Sequence, residues 1–146
     1  MDINTTRFGS LSVDAGDLIH FPGGLPGLEE CEHWALLADA ENASLGWLQS
    51  TSRADVALAV VSPRRFVSGY QLRVAGKELE PLSLKSVQQA QVLAIVGKNE
   101  RSMTLNLKAP LVINTELRLG RQVIANGDVP VQYELDSQPA ALRKSA

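Results

Sequence analysis

The sequence is poor in the residue types that most often carry chemistry. Its 146 residues include one cysteine, Cys31, and two histidines, His20 and His33. A single cysteine cannot form an internal disulfide, and the two histidines do not stand at the i, i+2 or i+4 spacing of a metal site. Cys31 lies among three glutamates, whose charge opposes formation of a reactive thiolate. We therefore predict no catalytic, metal-binding or cofactor-binding residues and no enzymatic activity.

Long apolar runs, aromatic residues and excess positive charge are also missing. No apolar run approaches the roughly 20 residues that a membrane helix needs, and the N-terminus lacks the pattern of a secretion signal. Aromatic residues make up 5% of the chain and the formal net charge is −2, which provides neither a base-stacking platform nor a basic surface for phosphates. We expect a cytoplasmic protein that contacts neither membrane nor nucleic acid directly.

Apolar and polar residues alternate along residues 103–119, the most regular pattern in the chain. The apolar positions are Met103, Leu105, Leu107, Ala109, Leu111, Ile113, Leu117 and Leu119. Because successive side chains of a strand point to opposite faces, the pattern predicts half-buried antiparallel strands with a solvated outer face. Pro110 has no N–H group, so we expect it to divide the run or to lie at an edge or bulge. Gly120 with Arg121 is predicted to form a turn.

Short apolar segments separated by turn residues fill most of the remaining sequence. They predict a hairpin within residues 3–13 and strands at residues 17–21, 34–37, 45–49, 56–61, 70–74, 92–96 and 129–135. One helix is predicted within residues 79–91, with Ser83 as a candidate N-cap, and one helical turn over residues 28–33. The fold class is all-β, a small antiparallel β-barrel or sandwich of about ten short strands with one or two short helices. We expect one domain over residues 1–138 and a flexible tail over residues 139–146.

The glycine-rich segment at residues 23–27 is the first candidate for a binding site. It lacks the Gly-Lys-Ser/Thr ending of a phosphate-binding loop, and no long helix follows it. Its glycines and proline predict an irregular loop that is either structural or a partner-binding loop. In the second case Leu25 and Pro26 would contact the partner, with Leu25 exposed on a constrained surface turn.

A second candidate follows Pro63, where arginines stand beside two aromatic residues. Arg65, Phe66 and Tyr70 fit two interpretations, either exposed arginines beside aromatics that cap the core, or a contact patch of the kind enriched at interfaces. Asn114 follows an apolar run, and its side chain fits either a turn or a partner contact. The predicted partner-binding residues are therefore Leu25, Pro26, Arg65, Phe66, Tyr70 and Asn114.

Several of these motifs, taken in order, resemble the flagellar assembly factor FliW family. The matching motifs are Arg7-Phe-Gly9, I-x-F-P-x-G-L-P-G over residues 19–27, Trp47-Leu-Gln-Ser50, Pro63 with Phe66 and Tyr70, Asn106-Leu-x-Ala-Pro-Leu-Val-Ile-Asn114, and Gly120-x-Gln-Val-Ile124. Each motif alone is weak, but their order and spacing are specific and extend over almost the whole chain. The resemblance implies a small β-barrel-like fold without catalytic activity.

The resemblance also implies two protein partners. FliW proteins bind flagellin, which they keep soluble, and the translational regulator CsrA, an RNA-binding dimer that represses flagellin synthesis and that FliW antagonises allosterically. The family commonly has aromatic and then acidic residues after the position of Pro63, and acidic residues before Val92. This chain has Arg64 and Arg65 in the first segment, and Lys85 with polar residues in the second. The affinity for CsrA depends on these differences, whereas the flagellin role is less affected.

A different class of function remains as an alternative. Small β-barrels also hold small molecules in their interior or bind oligonucleotides on one face. A wide, polar-lined interior would favour this alternative, and a packed interior would oppose the ligand pocket.

Overall fold

Ten strands form most of the regular structure in residues 1–135, the part of the chain that the computed structural model describes. They are β1 (Asp2–Thr5), β2 (Gly9–Ser12), β3 (Leu18–His20), β4 (His33–Ala38), β5 (Gly46–Ser50), β6 (Ala57–Val61), β7 (Ala90–Lys98), β8 (Met103–Asn114), β9 (Leu119–Gln122) and β10 (Tyr133–Glu134). The described chain also has one helical turn, α1 (Gly76–Leu79). In addition there are four 3₁₀ turns, Ala15–Asp17, Pro63–Arg65, Glu80–Leu82 and Val87–Gln89. The predicted tail, residues 139–146, lies outside the described residues, and the single domain remains a prediction.

Seven of the strands close into a barrel. Their order is β8-β7-β6-β5-β4-β3-β9, and the ring closes because β9 pairs with β3 on one side and with β8 on the other. All of these pairings are antiparallel except β3–β9, a single parallel pair between His20 and Leu119. Strand β10 adds to the first half of β8, and β1 pairs with β2 in a separate hairpin. The predicted all-β barrel is confirmed.

The interior of the barrel is filled by large apolar side chains. Strands β3 to β8 and the loop after β3 contribute Ile19, Phe21, Leu25, Cys31, Trp34, Leu48, Val60, Leu93, Leu111 and Ile113. Trp34 is fully buried, and its Nε1–H donates to the carbonyl oxygen of Cys31 at 2.8 Å, which satisfies the indole where water is excluded. This packed interior opposes the ligand-pocket form of the alternative function and does not bear on oligonucleotide binding at an outer face.

Three further apolar clusters lie on the outside of the barrel. The β1–β2 hairpin covers β4 through Ile3, Val13 and Ala35. The segment after β6 places Phe66 in a second cluster with β7 and β8. The segment between residues 72 and 84 packs on the strands in the third cluster, whose buried members are Leu82, Val112 and Val123. The partly buried members of this cluster are Leu72, Val74, Leu79, Leu84, Ala90, Val92 and Leu119. The expected solvated outer face of residues 103–119 is therefore wrong along much of β8, because Thr104, Val112 and Asn114 are buried on that side.

Pro110 lies inside a continuous strand at an irregularity of the β7–β8 ladder. Leu93 pairs with Leu111, and Ile95 pairs with Asn106. Between these two pairs the register moves by two residues in β7 but by five in β8. The side-chain oxygen of Asn106 accepts hydrogen bonds from the N–H groups of Lys108 and Ala109 at 3.1 and 3.0 Å, which supports the bulge. Of the outcomes expected for Pro110, the structure has the bulge, and the strand is not divided.

Two predicted local structures in the second half of the chain are wrong. Gly120 and Arg121 lie within β9, and the turn precedes them at residues 115–118. Residues 70–74 form no strand, since this segment has no neighbouring strand in the described chain to pair with. Tyr70, Leu72 and Val74 do alternate with exposed residues, because their side chains pack on the barrel.

The two predicted helical segments are also wrong. Residues 79–91 contain the end of α1, two 3₁₀ turns and the first two residues of β7, and Ser83 has φ 52° instead of capping a helix. Leu82 is buried whereas Val87 is 82% exposed, so the segment has no continuous apolar face to stabilise a helix. Residues 28–33 form turns and a bridge between Leu25 and Leu28.

Candidate functional site

A groove on the outside of the barrel is the candidate binding site. It has a volume of about 970 Å³ and lies between the segment that follows β6 and the segment from Gly76 to Gln91. We call it the β7 groove, because the first residues of β7 form part of its floor. Its apolar lining residues are Leu72, Leu79, Leu84, Val92 and Val112. An apolar floor of this kind suits a protein or peptide ligand that brings apolar side chains.

The rim of the β7 groove carries more positive than negative charge. Arg64 stands on one side and Lys85 on the other, and Glu80 is the acidic residue among the lining residues. None of the three forms an ion pair with another residue of the described chain. Val87 on the same rim is 82% exposed. The rim therefore offers two unpaired cations and an exposed apolar side chain to a partner.

Asn114 fixes the outer wall of the groove to the barrel. Its Nδ2–H donates to the carbonyl oxygen of Leu82 at 2.9 Å, and its Oδ1 accepts from the N–H groups of Glu116 and Leu117 at 3.1 Å each. The residue is 1% exposed. Asn114 thus forms the turn after β8, as one of its two interpretations required, and it also holds the segment that carries Leu82.

We expect Asn114→Ala to lower the free energy of unfolding by about 2–3 kcal/mol, because it leaves the buried Leu82 carbonyl and two turn N–H groups unpaired. Urea unfolding measures this change. Thr115→Val is the matched control, since it removes only the exposed bond from the Thr115 hydroxyl to the Gln89 carbonyl and should cost less than about 1 kcal/mol. Equal effects of the two substitutions would contradict the assigned role of Asn114.

Glu78 makes a second connection between this wall and the barrel. Its carboxylate accepts the N–H of Ile124 at 2.9 Å and a guanidinium N–H of Arg121 at 3.0 Å. The backbone bond from Ile124 is the main cause that lowers the pKa of Glu78 below 4.5, and the bond from Arg121 adds to it. Because the folded pKa is depressed, the carboxylate stabilises the fold above its unfolded pKa, and this contribution is lost as the pH falls through the folded pKa.

Glu78→Gln is therefore expected to lower the stability most at neutral pH. The difference in free energy of unfolding between the two proteins should shrink as the pH falls through the folded pKa of Glu78, which lies below 4.5, because the wild-type carboxylate then becomes protonated. Urea unfolding at a series of pH values from neutral to acidic measures this difference. A difference that stays constant with pH would show that the charge of Glu78 contributes nothing.

Tyr70 lines the groove and carries a hydroxyl group without a partner. The hydroxyl oxygen is buried and forms no hydrogen bond within residues 1–135, while the ring packs against the cluster that contains Phe66. Burial raises the pKa of Tyr70 above 10.0, and the nearby charge of Arg64 opposes part of that rise. The hydroxyl is therefore shielded from solvent in the unbound protein, and only other parts of Tyr70 contribute to the groove surface.

We expect Tyr70→Phe to leave the unbound protein equally stable or to stabilise it by up to about 1 kcal/mol. The substitution removes a polar atom without breaking a hydrogen bond, so only the cost of burying that atom is lost. Thermal and urea unfolding measure the change. A loss of stability above about 1 kcal/mol would mean that the hydroxyl has a structural partner.

The structure brings together only some of the predicted binding residues. Tyr70 lines the groove, Phe66 is 3% exposed beneath it, and the exposed Arg65 contacts Ser44 through Nη1 and Oγ at 3.3 Å. Phe66 thus caps the outer core, as one of its two interpretations stated. Asn114 lies behind the groove wall and is too buried to contact a partner in this conformation.

Leu25 and Pro26 lie apart from the groove, and the prediction of an exposed Leu25 is wrong. Leu25 is 3% exposed and belongs to the core of the barrel. The N–H of Leu28 donates to the carbonyl oxygen of Leu25 at 2.7 Å, which turns the loop back on itself and directs Leu25 inward. Pro26 is exposed on the same loop.

A cluster of Arg7, Phe8 and Trp47 connects the β1–β2 hairpin to the barrel, and the sequence interpretation missed it. The guanidinium carbon of Arg7 lies 4.4 Å from the Trp47 ring centroid, and the Phe8 ring packs edge-on against the same ring at 5.7 Å. The Trp47 Nε1–H donates to Asp39 at 3.0 Å, and this bond is the main cause that lowers the pKa of Asp39. The motifs Arg7-Phe-Gly9 and Trp47-Leu-Gln-Ser50 are both recognisable in the sequence, but nothing in the sequence indicates that they are in contact.

The remaining ionisable groups of residues 1–135 do not form a recognisable reaction centre. His20 and His33 are cross-strand neighbours whose rings stack at 4.6 Å, and His20 Nε2 lies 3.1 Å from Glu32 Oε1. No group of three His, Cys, Asp or Glu side chains within residues 1–135 is placed to hold a metal ion. Over the same residues, no helix has the length and apolarity to cross a bilayer.

Comparison with known families identifies the chain. The family model described as FliW protein matches residues 2–135. The chain belongs to the FliW family. The flagellar assembly factor FliW of Moorella thermoacetica is 35% identical over 130 residues, which cover 87% of this chain and 82% of that protein. The FliW of Desulfitobacterium hafniense is 33% identical over 144 residues, covering 97% and 95% of the two chains.

A solved FliW structure has the same fold. The crystal structure of a flagellar assembly factor FliW superimposes with a TM-score of 0.84 at 28% sequence identity, and the match covers 92% of this chain and 96% of that one. The resemblance that rested on scattered motifs is therefore confirmed. The β7 groove and the Arg7–Trp47 cluster are features of a FliW barrel.

Proposed function

We propose that this FliW protein is a non-enzymatic flagellar assembly factor of the bacterial cytoplasm that binds flagellin as a chaperone. The family match over residues 2–135 carries this proposal, and its relatives are named flagellar assembly factors. The packed interior supports it as well, because a filled barrel leaves the outer surface as the place for activity.

The β7 groove is the surface that we propose for flagellin. A stable protein complex needs roughly 800 Å² on each partner, with apolar and aromatic side chains near its centre. The groove supplies an apolar floor, Tyr70, and Arg64, which is followed in the chain by the exposed Arg65. These residues include two of the partner-binding residues predicted from the sequence, Arg65 and Tyr70.

The test of this proposal is binding of purified flagellin from the same host, measured by biolayer interferometry. We expect micromolar or tighter binding to the wild-type chain. Val87→Glu places a charge on the groove rim and should weaken binding at least about tenfold, as truncated or charged interface residues commonly do. Val131→Glu is the matched control, because Val131 is 58% exposed and does not line the groove, so its binding should be unchanged. Absence of wild-type binding would overturn the flagellin role.

We further propose that binding of CsrA is weaker than binding of flagellin. A basic CsrA surface would meet Arg64 and Lys85 at the rim where related proteins are commonly acidic, and like charges reduce affinity and association rate. The two partners would then compete by mass action, with flagellin favoured at equal concentration. A competition titration with both purified proteins measures the ratio, and a tighter complex with CsrA would contradict this order.

A further inference from the structure

The register of the β7–β8 ladder shows which backbone groups of β7 face the groove. The N–H of Thr115 donates to the carbonyl oxygen of Gln89 at 2.9 Å, and the next pair along the ladder is Ala90 with Asn114. In an antiparallel ladder, hydrogen-bonded pairs alternate with pairs that are not bonded to each other. Gln91 therefore bonds to β8, whereas the backbone groups of Ala90 and Val92 point to the opposite edge.

The β8–β9 ladder gives the same assignment independently. The N–H of Val123 donates to the carbonyl oxygen of Pro110 at 2.9 Å, which makes Val112 with Arg121 a bonded pair. Since Val112 uses its backbone groups toward β9, it does not bond to Val92 on the other side. The carbonyl and N–H groups of Val92 are thus directed away from β8.

This edge of β7 has no neighbouring strand within residues 1–135. Strand β6 pairs with β7 only at Val60 with Ile95 and Val61 with Ala94, and the chain then leaves the sheet at the 3₁₀ turn Pro63–Arg65. The N–H of Ala90 donates to Val87 in the preceding turn. The Ala90 carbonyl and both backbone groups of Val92 remain without a backbone partner in the described chain.

We propose that the β7 groove accepts an extended, acidic peptide segment of a partner protein, which pairs as an added strand with Ala90–Val92. An unpaired strand edge is a template for an incoming strand, and side-chain pockets beside it select alternate residues. Leu72, Leu84 and Val112 supply the apolar surface for those residues. Arg64 and Lys85, which have no ion partner in residues 1–135, favour carboxylates at the flanks of the segment.

The inference rests on the proposed function only in taking the occupant of the groove to be a protein. A helix would leave the three backbone groups of β7 unpaired, because its own backbone groups are bonded internally. An extended segment pairs with these groups and covers the apolar floor at the same time.

A blocked heptapeptide of sequence EVTVTVE is the probe, titrated into the ¹⁵N-labelled full chain. We expect binding with a Kd below about 1 mM. At saturation, amide hydrogen exchange of Val92 should slow by at least about tenfold, because its N–H gains a partner. The amides of Gln91 and Leu93 are internal controls, since the register bonds them to β8 with or without peptide.

Backbone pairing and charge are separated by changes to the probe. Methylating the peptide nitrogens that face β7 should abolish binding, whereas methylating the alternate nitrogens should not, because only the first set donates to the Ala90 and Val92 carbonyls. The peptides QVTVTVQ and KVTVTVK should bind progressively more weakly. Arg64→Gln and Lys85→Gln should each weaken EVTVTVE by roughly two- to fivefold and leave QVTVTVQ unchanged.

Three results would overturn the inference. They are no binding of EVTVTVE at millimolar concentration, binding without protection of the Val92 amide, and tighter binding of the basic peptide than of the acidic one. Flagellin binding is measured separately. Binding of the peptide without binding of flagellin would support the strand-pairing site and contradict the proposed function. Binding of flagellin without binding of the peptide would support the proposed function and contradict the strand-pairing site.

Discussion

Replacing Gly120 with alanine is expected to lower the free energy of unfolding by about 3 kcal/mol, at the upper end of the range for overpacked cores. A Cβ atom at residue 120 would lie 2.5, 2.7 and 2.8 Å from three atoms of the Phe21 ring. Phe21 is 1% exposed and belongs to the packed interior, so its ring has no free space to move into. Urea unfolding of the purified variant measures the loss.

Two controls distinguish this clash from a general effect of losing a glycine. Gly76→Ala adds a Cβ with no atom within 4 Å and should be neutral or slightly stabilising. Combining Gly120→Ala with Phe21→Leu should cost less than the sum of the two single substitutions, because the shorter side chain removes the ring atoms that the new methyl group meets. Additive effects would show that the two residues do not collide.

The close approach of Gly120 to Phe21 explains why the sequence predicted a turn where a strand exists. Glycine in a sequence is most often a turn signal, and Gly120 stands beside a polar residue. Here the glycine is required because a ring from the loop after β3 packs directly on the backbone of β9. These residues lie about a hundred positions apart in the chain, so the pattern of apolar and polar residues within β9 does not indicate the contact.

The strands were predictable because each pattern is local. Alternation placed residues 103–114 in strands, and a continuous apolar run placed β7. The missing N–H of Pro110 predicted a break, an edge or a bulge, and the structure has the bulge. The packing of the segments that cover the outside of the barrel was not predictable in the same way. Leu82 is buried against Val112 by tertiary packing that overrides the helical propensity of its neighbours.

The sequence pointed to candidate residues at or beside the groove where they are close together in the chain, and it did not indicate the residues that form the groove floor. Arg65 and Tyr70 stand five positions apart, and arginine beside aromatic residues is a recognisable interface composition. The floor of the groove combines Leu72, Leu84 and Val112, which come from three segments. The open edge of β7 depends on the register of two ladders and on the departure of β6, and neither can be read before the sheet order is known.

Gly24→Ala is expected to be the most damaging alanine substitution in the glycine-rich loop, costing about 3 kcal/mol or more. Gly24 has φ +69°, which is unfavourable for alanine by roughly 1–2 kcal/mol. Its new Cβ would also overlap the carbonyl oxygen of Leu28 and lie 2.7 Å from the Cα and carbonyl oxygen of Glu29. These are backbone atoms, so no side-chain rotation relieves the contact, and the turn that directs Leu25 into the core must open.

Gly23→Ala is the matched control for this prediction, since Gly23 has φ +78° and its Cβ would meet nothing within 4 Å. It should cost only the conformational part, roughly 1–2 kcal/mol, so the difference between the two variants isolates the backbone clash. Urea unfolding followed by tryptophan fluorescence measures both, because Trp34 lies in the cluster that Leu25 completes. If the two substitutions were equally destabilising, the loop would be free to move away from Glu29, and Leu25 would not be held in the barrel by this turn.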